Sequence, residues 1–192
     1  MSEGHFINVK GFCVAELTNE SEKTYDTVQV VSKTMKVKVS TDSNTETLDG
    51  DGRPTDSCTT TGKTTIEVEI NKLPLKIQAF LAGHGFDETT GAMLEKETDT
   101  PPDVACGYCF EKSNGKKQYH WYYKGKFEKP DDDVEQISDG KAKFSTPSLK
   151  GTFVYRSDGN KACKWDEEEG TIPAAILSTV TEPPAALLNP AV

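Results

Sequence analysis

Several absences narrow the reading of this 192-residue chain before any motif is sought. No apolar run approaches the roughly 18 residues that a membrane-spanning helix requires, so no helical span is expected. The opening MSEGHFINVKGF lacks the apolar stretch of a secretion signal, and the chain is expected to be made and kept in cytosol-like solvent. Cysteine is scarce and odd in number: Cys13, Cys58, Cys106, Cys109 and Cys163. Without a secretion signal a disulfide framework is not expected, and the five read as free thiols. Positive charge is short too, with 22 Lys and Arg against 31 Asp and Glu and a formal charge of −9. That is the wrong sign for gripping nucleic-acid phosphates, which argues against a sequence reader. Hydrophobic residues make up 34%, a low share that leaves part of the chain in segments its own core does not cover.

Signatures of catalysis are missing as well. Thr61-Gly62-Lys63-Thr64 ends like a phosphate-binding loop, but Ser57 stands where that motif needs glycine and a strand, not a helix, follows the lysine. Asp42, Asn44 and Glu46 begin like a calcium loop, yet Thr47 replaces the sharp-turn glycine and Arg53 the bidentate glutamate. Cys106 and Cys109 have redox-motif spacing, but on a strand they face opposite ways and no second pair completes a zinc site. Cys106 therefore reads as a small core residue. His5, His84 and His120 are scattered, with no nucleophile elbow or zinc-protease helix around them. The acidic runs at 131–133 and 167–169 fall in expected turns or tails, where like charges are usually solvated. The reading is of a protein that is not an enzyme, with no catalytic, cofactor or metal residues.

Period-2 alternation carries most of the apolar residues, which predicts a mostly β fold of antiparallel strands. Strands are expected over 5–17, 27–40, 63–70, 103–111, 117–128, near 134–137, over 143–156, and up to Trp165. In 27–40, Met35, Val37 and Val39 share one face and Lys36, Lys38 and Ser40 the other. The cleanest strand is KTTIEVEI, residues 63–70, with Ile66, Val68 and Ile70 opposite Thr65, Glu67 and Glu69. Directly after it, a capping Asn71, Pro74 in the first turn, and Leu73, Ile77, Phe80 and Leu81 on one face predict a single flanking α-helix near 72–84. Gly83 and Gly85 stop it. Asn114-Gly115 supplies the turn of a hairpin. On its strands Val104, Cys106, Tyr108 and Phe110 form one wall, and Tyr119, Trp121, Tyr123 and Phe127 another. Residues 41–62 are polar, with Leu48 the only large aliphatic, and read as a long loop. The expected organisation is one domain over 1–166 and a Pro/Ala-rich arm over 167–192.

The stretch from Ile66 to Gly91, IEVEINKLPLKIQAFLAGHGFDETTG, resembles the strand-helix-turn hallmark of a family of siphophage major tail proteins. The likeness continues through Tyr119-His-Trp-Tyr-Tyr-Lys-Gly-Lys-Phe127 and through Phe144-Ser-Thr-Pro-Ser-Leu-Lys-Gly-Thr-Phe153, which is similar to the family's "tP.L.GtF" segment, and spans residues 5–166 in order. The extra C-terminal immunoglobulin-like domain of some such proteins is not expected here.

The resemblance implies a tail-tube β-sandwich or barrel that self-assembles into hexameric rings, stacked into the hollow tail tube through which DNA is ejected. The implied setting is the virion tail, with assembly in the host cytoplasm. Implied partners are further copies of the chain, the tape measure, tail terminator and baseplate or distal tail proteins, and double-stranded DNA in transient, non-specific passage. The lumen is expected to be acidic. Thr65, Glu67 and Glu69 are its candidates, with Lys36 and Lys38 opposite the glutamates across an antiparallel pair. Asp49, Asp51, Arg53 and Asp56 are candidates for contact between rings, in a loop expected to be mobile in the free subunit. Two rivals stand beside this reading: a β-sandwich binding or adhesion module using the 119–123 aromatics, and the tube subunit of a contractile secretion-type system.

Overall fold

The computed structural model of the chain describes residues 4–31, 33–50, 53–130, 136 and 144–188. In chain order its elements are β1 (Phe6–Asn19), β2 (Thr24–Tyr25), β3 (Gln29–Val30), β4 (Thr34–Gly50), β5 (Arg53–Ile70), α1 (Leu75–Ala82) and β6 (Gly85–Asp87). They continue as β7 (Ala92–Leu94), β8 (Val104–Lys112), β9 (Lys117–Phe127), β10 (Ser148–Phe153), β11 (Ala162–Asp166) and α2 (Ala185–Leu188). The fold is mostly β with α1 on its flank. One antiparallel sheet runs β2-β1-β8-β9-β10-β5-β4, with β3 added beside β1 and β11 beside β9, while β6 and β7 form a separate hairpin. Among the described residues no helix is long and apolar enough to cross a membrane.

The sheet curls over itself. Ile66, Val68 and Ile70 of β5 share a core with Phe12 and Val14 of β1, Cys106 and Tyr108 of β8, Phe153 of β10, and Ile77 and Leu81 of α1. A second core lies on the other face of β1, β8 and β9, built from Cys13, Ala105, Trp121, Tyr123, Cys163, Trp165 and Ile176. Strands β8 and β9 are thus buried on both faces, which explains why their sequences hold aromatic and small residues at consecutive positions. The expected single wall of Tyr119, Trp121, Tyr123 and Phe127 divides between the two cores. Val104 pairs with Gly125 but Cys106 with Tyr122, so β9 carries one extra residue there. That bulge turns Phe127 into the first core while Trp121 and Tyr123 stay in the second.

Other expectations shift for local reasons. Residues 41–50 and 53–62 are not a loop: they form the distal halves of β4 and β5, paired from Thr41–Thr64 outward to Gly50–Arg53. Their polarity suggested a loop, but threonine is a strong strand former and the core halves of both strands hold the register. The 27–40 strand is interrupted between β3 and β4, where Val31 N–H donates to Phe12 O at 2.9 Å and Lys33 adopts φ 65°. A register shift between Thr34 and Lys36 leaves Met35 exposed rather than beside Val37. Helix α1 starts after Pro74 instead of Asn71, with no side-chain cap. Asn71 N–H still belongs to the sheet, donating to Lys33 O at 3.0 Å, and the residue before a proline avoids helical geometry. Gly83 ends α1 at φ 75°, and a side chain there would strike Thr100 O. The 143–156 strand shortens to β10, while the strand expected near 134–137 and the 131–133 acids lie outside the described residues.

The segment after β11 is irregular, as an arm would be, yet residues 172–182 lie on the second core. Trp121 Nε1 donates to Ile176 O at 2.7 Å and Tyr123 Oη to Thr181 O at 3.0 Å. Arg156, fully buried, holds Glu182 through both guanidinium ends at 2.7 and 2.6 Å and also binds Asp158. Beside it the Asp158 carboxyl is held well below the usual carboxylate range. These carbonyl acceptors let an irregular segment cover indole and phenol groups without stranding their donors. α2 is a single exposed turn.

Gly107 makes the second core possible, because a Cβ at that position would lie 2.9 Å from the Trp121 ring. Gly107→Val should lower unfolding free energy by about 1–3 kcal/mol through overpacking, seen as a reduced urea midpoint. An unchanged midpoint would show that the Trp121 site can relax.

Candidate functional site

The most distinctive surface is the β4–β5 hairpin. Its base is locked into the fold by Ile66 and Val68, and by buried Thr64, whose hydroxyl meets that of Thr41 at 2.9 Å. Beyond that pair the described side chains are exposed, Leu48 at 68% among them. At roughly 3.3 Å per residue, residues 42–50 carry the hairpin about 30 Å past the core. Its ladder is regular, Asn44–Thr60, Thr45–Thr59, Glu46–Cys58 and Thr47–Ser57, but among the described residues no second layer lies over it. Isolated two-stranded hairpins are marginal in water. The outer edge of β4 also faces no strand among the described residues, and unpaired edges of this kind template further pairing.

The structure brings the lumen candidates onto one face. Lys36 pairs with Glu69 and Lys38 with Glu67 in register, with ammonium-to-carboxylate distances of 2.7 and 3.4 Å. Thr65 sits between Ser40 and Thr152. The Glu69 carboxylate pushes the Lys36 pKa up. The ladder extends to β10 and β9: Lys150 lies opposite Glu67 and reaches Glu128 at 3.4 Å, and Lys126 lies opposite Thr152. Positive and negative groups alternate across this face, four lysines among three glutamates, so it is mixed in charge. Exposed pairs of this type contribute little to stability in water.

The tip candidates behave differently. Asp49 pairs with Pro54, Leu48 with Asp56, and Gly50 with Arg53, while Asp51 lies outside the described residues. From Asp42 to Gly62 the only cation is Arg53, against Asp42, Glu46, Asp49, Asp51 and Asp56. The hairpin is therefore an acidic projection rising from a sheet of mixed charge.

Elsewhere most of the groups that resemble chemistry are buried or paired. Cys106 is fully buried and Cys109 is 5% exposed; all five thiols are unpaired and Cys58 alone is exposed. Burial pushes the Cys13 thiol up to about 12, which suppresses the reactive thiolate. Among the described residues no group of three or more His, Cys, Asp or Glu side chains is placed to hold a metal ion. His84 is clamped by Asp99 at 2.9 Å, with Glu95 3.8 Å from its other nitrogen. The acids at 167–169 are not simply solvated. Glu167 accepts from Lys117 N at 2.9 Å and Tyr119 Oη at 3.2 Å, and Glu168 binds nearly buried Lys112, which also meets Asp166 at 2.7 Å. The Lys112 and Arg156 clusters escaped sequence reading because nothing in a lone cation announces partners 54 and 26 residues away.

The aromatic strip offers no exposed platform. Trp121 and Tyr123 are fully buried and Tyr122 is 4% exposed. No protein-family model and no curated protein matches the chain.

His120 is buried in the same strip, stacked on Tyr108 with ring centroids 4.9 Å apart and its Nε2 2.9 Å from Gln118 Oε1. Burial, helped by Lys164, lowers its pKa to about 4. A depressed histidine favours folding only while neutral, because the unfolded chain takes up the proton first. Stability should therefore fall by about 3 kcal/mol as pH drops from 6.5 towards 4. Urea titrations should show this slope, and His120→Phe should flatten it above pH 4.5. An equal slope in the variant would place its origin elsewhere.

Proposed function

We propose that the chain is a structural virion protein, the repeating subunit of a phage tail tube that conducts DNA. The observation that carries the reading is the hairpin: a long acidic projection that, among the described residues, has an open edge and no cover. A solitary protein gains nothing from maintaining such an element, whereas a polymer supplies cover at every repeat. The resemblance over 66–91, 119–127 and 144–153 supports the same reading. Those segments hold the end of β5 with α1, β9, and β10, and the three strands adjoin one another in one sheet.

In this reading the subunits form hexameric rings and the rings stack, with the hairpin reaching the next ring. The balanced Lys36, Lys38, Glu67 and Glu69 face would line the channel. Alternating charges would give passing DNA neither a continuous positive track nor deep local wells. Other partners would be the tape measure, the tail terminator and the baseplate or distal tail proteins. The adhesion alternative loses its aromatic platform to burial. The secretion-type tube shares the architecture and differs in what passes through it.

Electron microscopy of the purified protein at rising concentration should show rings and tubes. Deleting residues 49–60 should leave a folded subunit, with an unaltered urea midpoint, that cannot elongate. A strictly monomeric wild type would contradict the proposal, as would normal tubes from the deletion.

A further inference from the structure

The two faces of the distal hairpin differ in kind. Along β4 the alternation that turns Val37 towards the core continues through Thr41, Ser43, Thr45 and Thr47. Their partners on β5 are Thr64, Thr61, Thr59 and Ser57. This face is a double row of hydroxyls with no charge, and it prolongs the face that is core lower down. The opposite face, continuous with the Lys36–Glu69 ladder, carries Asp42, Asn44, Glu46 and Leu48 against Thr60, Cys58 and Asp56.

Burial would have unlike consequences for the two. On the hydroxyl face, Thr45 and Thr59 already bond each other at 2.9 Å, as do Thr41 and Thr64. Covering them strands few donors and restricts only short side chains. Covering the other face would remove Asp42, Glu46 and Asp56 from water without a counter-ion, which is far more costly.

The opposite end of the same strand pair suggests what does the covering. Lys33, just before β4, and Lys72, just after β5, are exposed, and Asn71, next to Lys72, donates its N–H to Lys33 O at 3.0 Å. Neither has an acidic partner among the described residues. An acidic tip at one end and unpaired lysines at the other are complementary only between different molecules, set head to tail.

We propose that the hydroxyl face is the docking face of the hairpin and that its occupant is a second copy of this chain. The copies are stacked so that the Asp49 and Asp56 tip meets Lys33 and Lys72 of the next. This inference rests on the tube reading and specifies which face is buried and which charges meet. The Cys58 face stays in water.

Native Cys58 supplies the test, because it lies on the face predicted to remain open while the other four thiols are buried. Full-length protein, as free subunit and as tubes, is treated with a maleimide-polyethylene glycol and resolved by mass. Cys58 should label in both states. In a Cys58→Ser background, Thr59→Cys and Thr45→Cys should label in the subunit and lose labelling in tubes. If those cysteines block assembly, the paired substitutions decide. Thr45→Asp with Thr59→Asp should abolish tubes, Asn44→Asp with Thr60→Asp should leave them, and Lys33→Glu with Lys72→Glu should abolish them. Tubes in which Thr59→Cys stays reactive, or in which Cys58 alone is protected, would overturn the face assignment and leave the tube reading standing. No tubes from the unaltered chain would remove both.

Discussion

Strand β5 carries two incompatible demands, and the rest of the molecule is arranged around them. In its lower half Ile66, Val68 and Ile70 are fully buried, and the strand is bonded on both sides, to β4 and β10. Its upper half has β4 alone. The ladder between β4 and β5 runs unbroken in direction through both regimes, with shifts only between Thr41 and Ser43 and between Leu48 and Asp49 in the distal part. The core therefore fixes the register of a hairpin that could not hold it unaided. A projection of this kind can be sustained only because its root is among the best-buried parts of the fold.

The remaining architecture secures that root. Curling the sheet brings β1 over β5, and α1 closes the side through Ile77 and Leu81. The second core stiffens β8 and β9 from behind, with Trp121 laid on Gly107 and covered by Ile176. Buried cations tie the irregular C-terminal segment down at both ends, Lys112 at Asp166 and Glu168 and Arg156 at Glu182. Such clusters are valued less for net stability than for the arrangement they enforce, since removing one partner leaves an uncompensated charge. The low apolar share of the chain follows, because much of its length serves the hairpin and the strapped segment rather than the interior.

Much of the fold was legible in the sequence. The alternation of Ile66, Val68 and Ile70, the Asn114-Gly115 turn, the helix stop at Gly83 and the pairing of Lys36 and Lys38 with Glu69 and Glu67 all depend on local rules. What escaped was set by distance. The strand character of residues 41–50 and 53–62 comes from continuity with a buried ladder, and their polar composition conceals it. The sorting of Phe127 from Trp121 depends on one inserted residue in β9. The docking of Ile176 and Glu182 depends on partners far away in sequence. Of the candidate site, the ladder of two lysines opposite two glutamates was readable as a face; its extension through Lys126, Lys150 and Glu128 was not, because those residues arrive from other strands.

The central claim is that the hairpin has a fold but no cover until a second copy supplies it. Amide hydrogen exchange over residues 42–63, compared between the free subunit and the assembled protein, tests it most directly. The account predicts rapid exchange in the free subunit beside a protected base at Thr64–Ile70, and protection reaching the distal residues on assembly. Distal amides already as protected as the base in the monomer, or equally unprotected in the polymer, would contradict it.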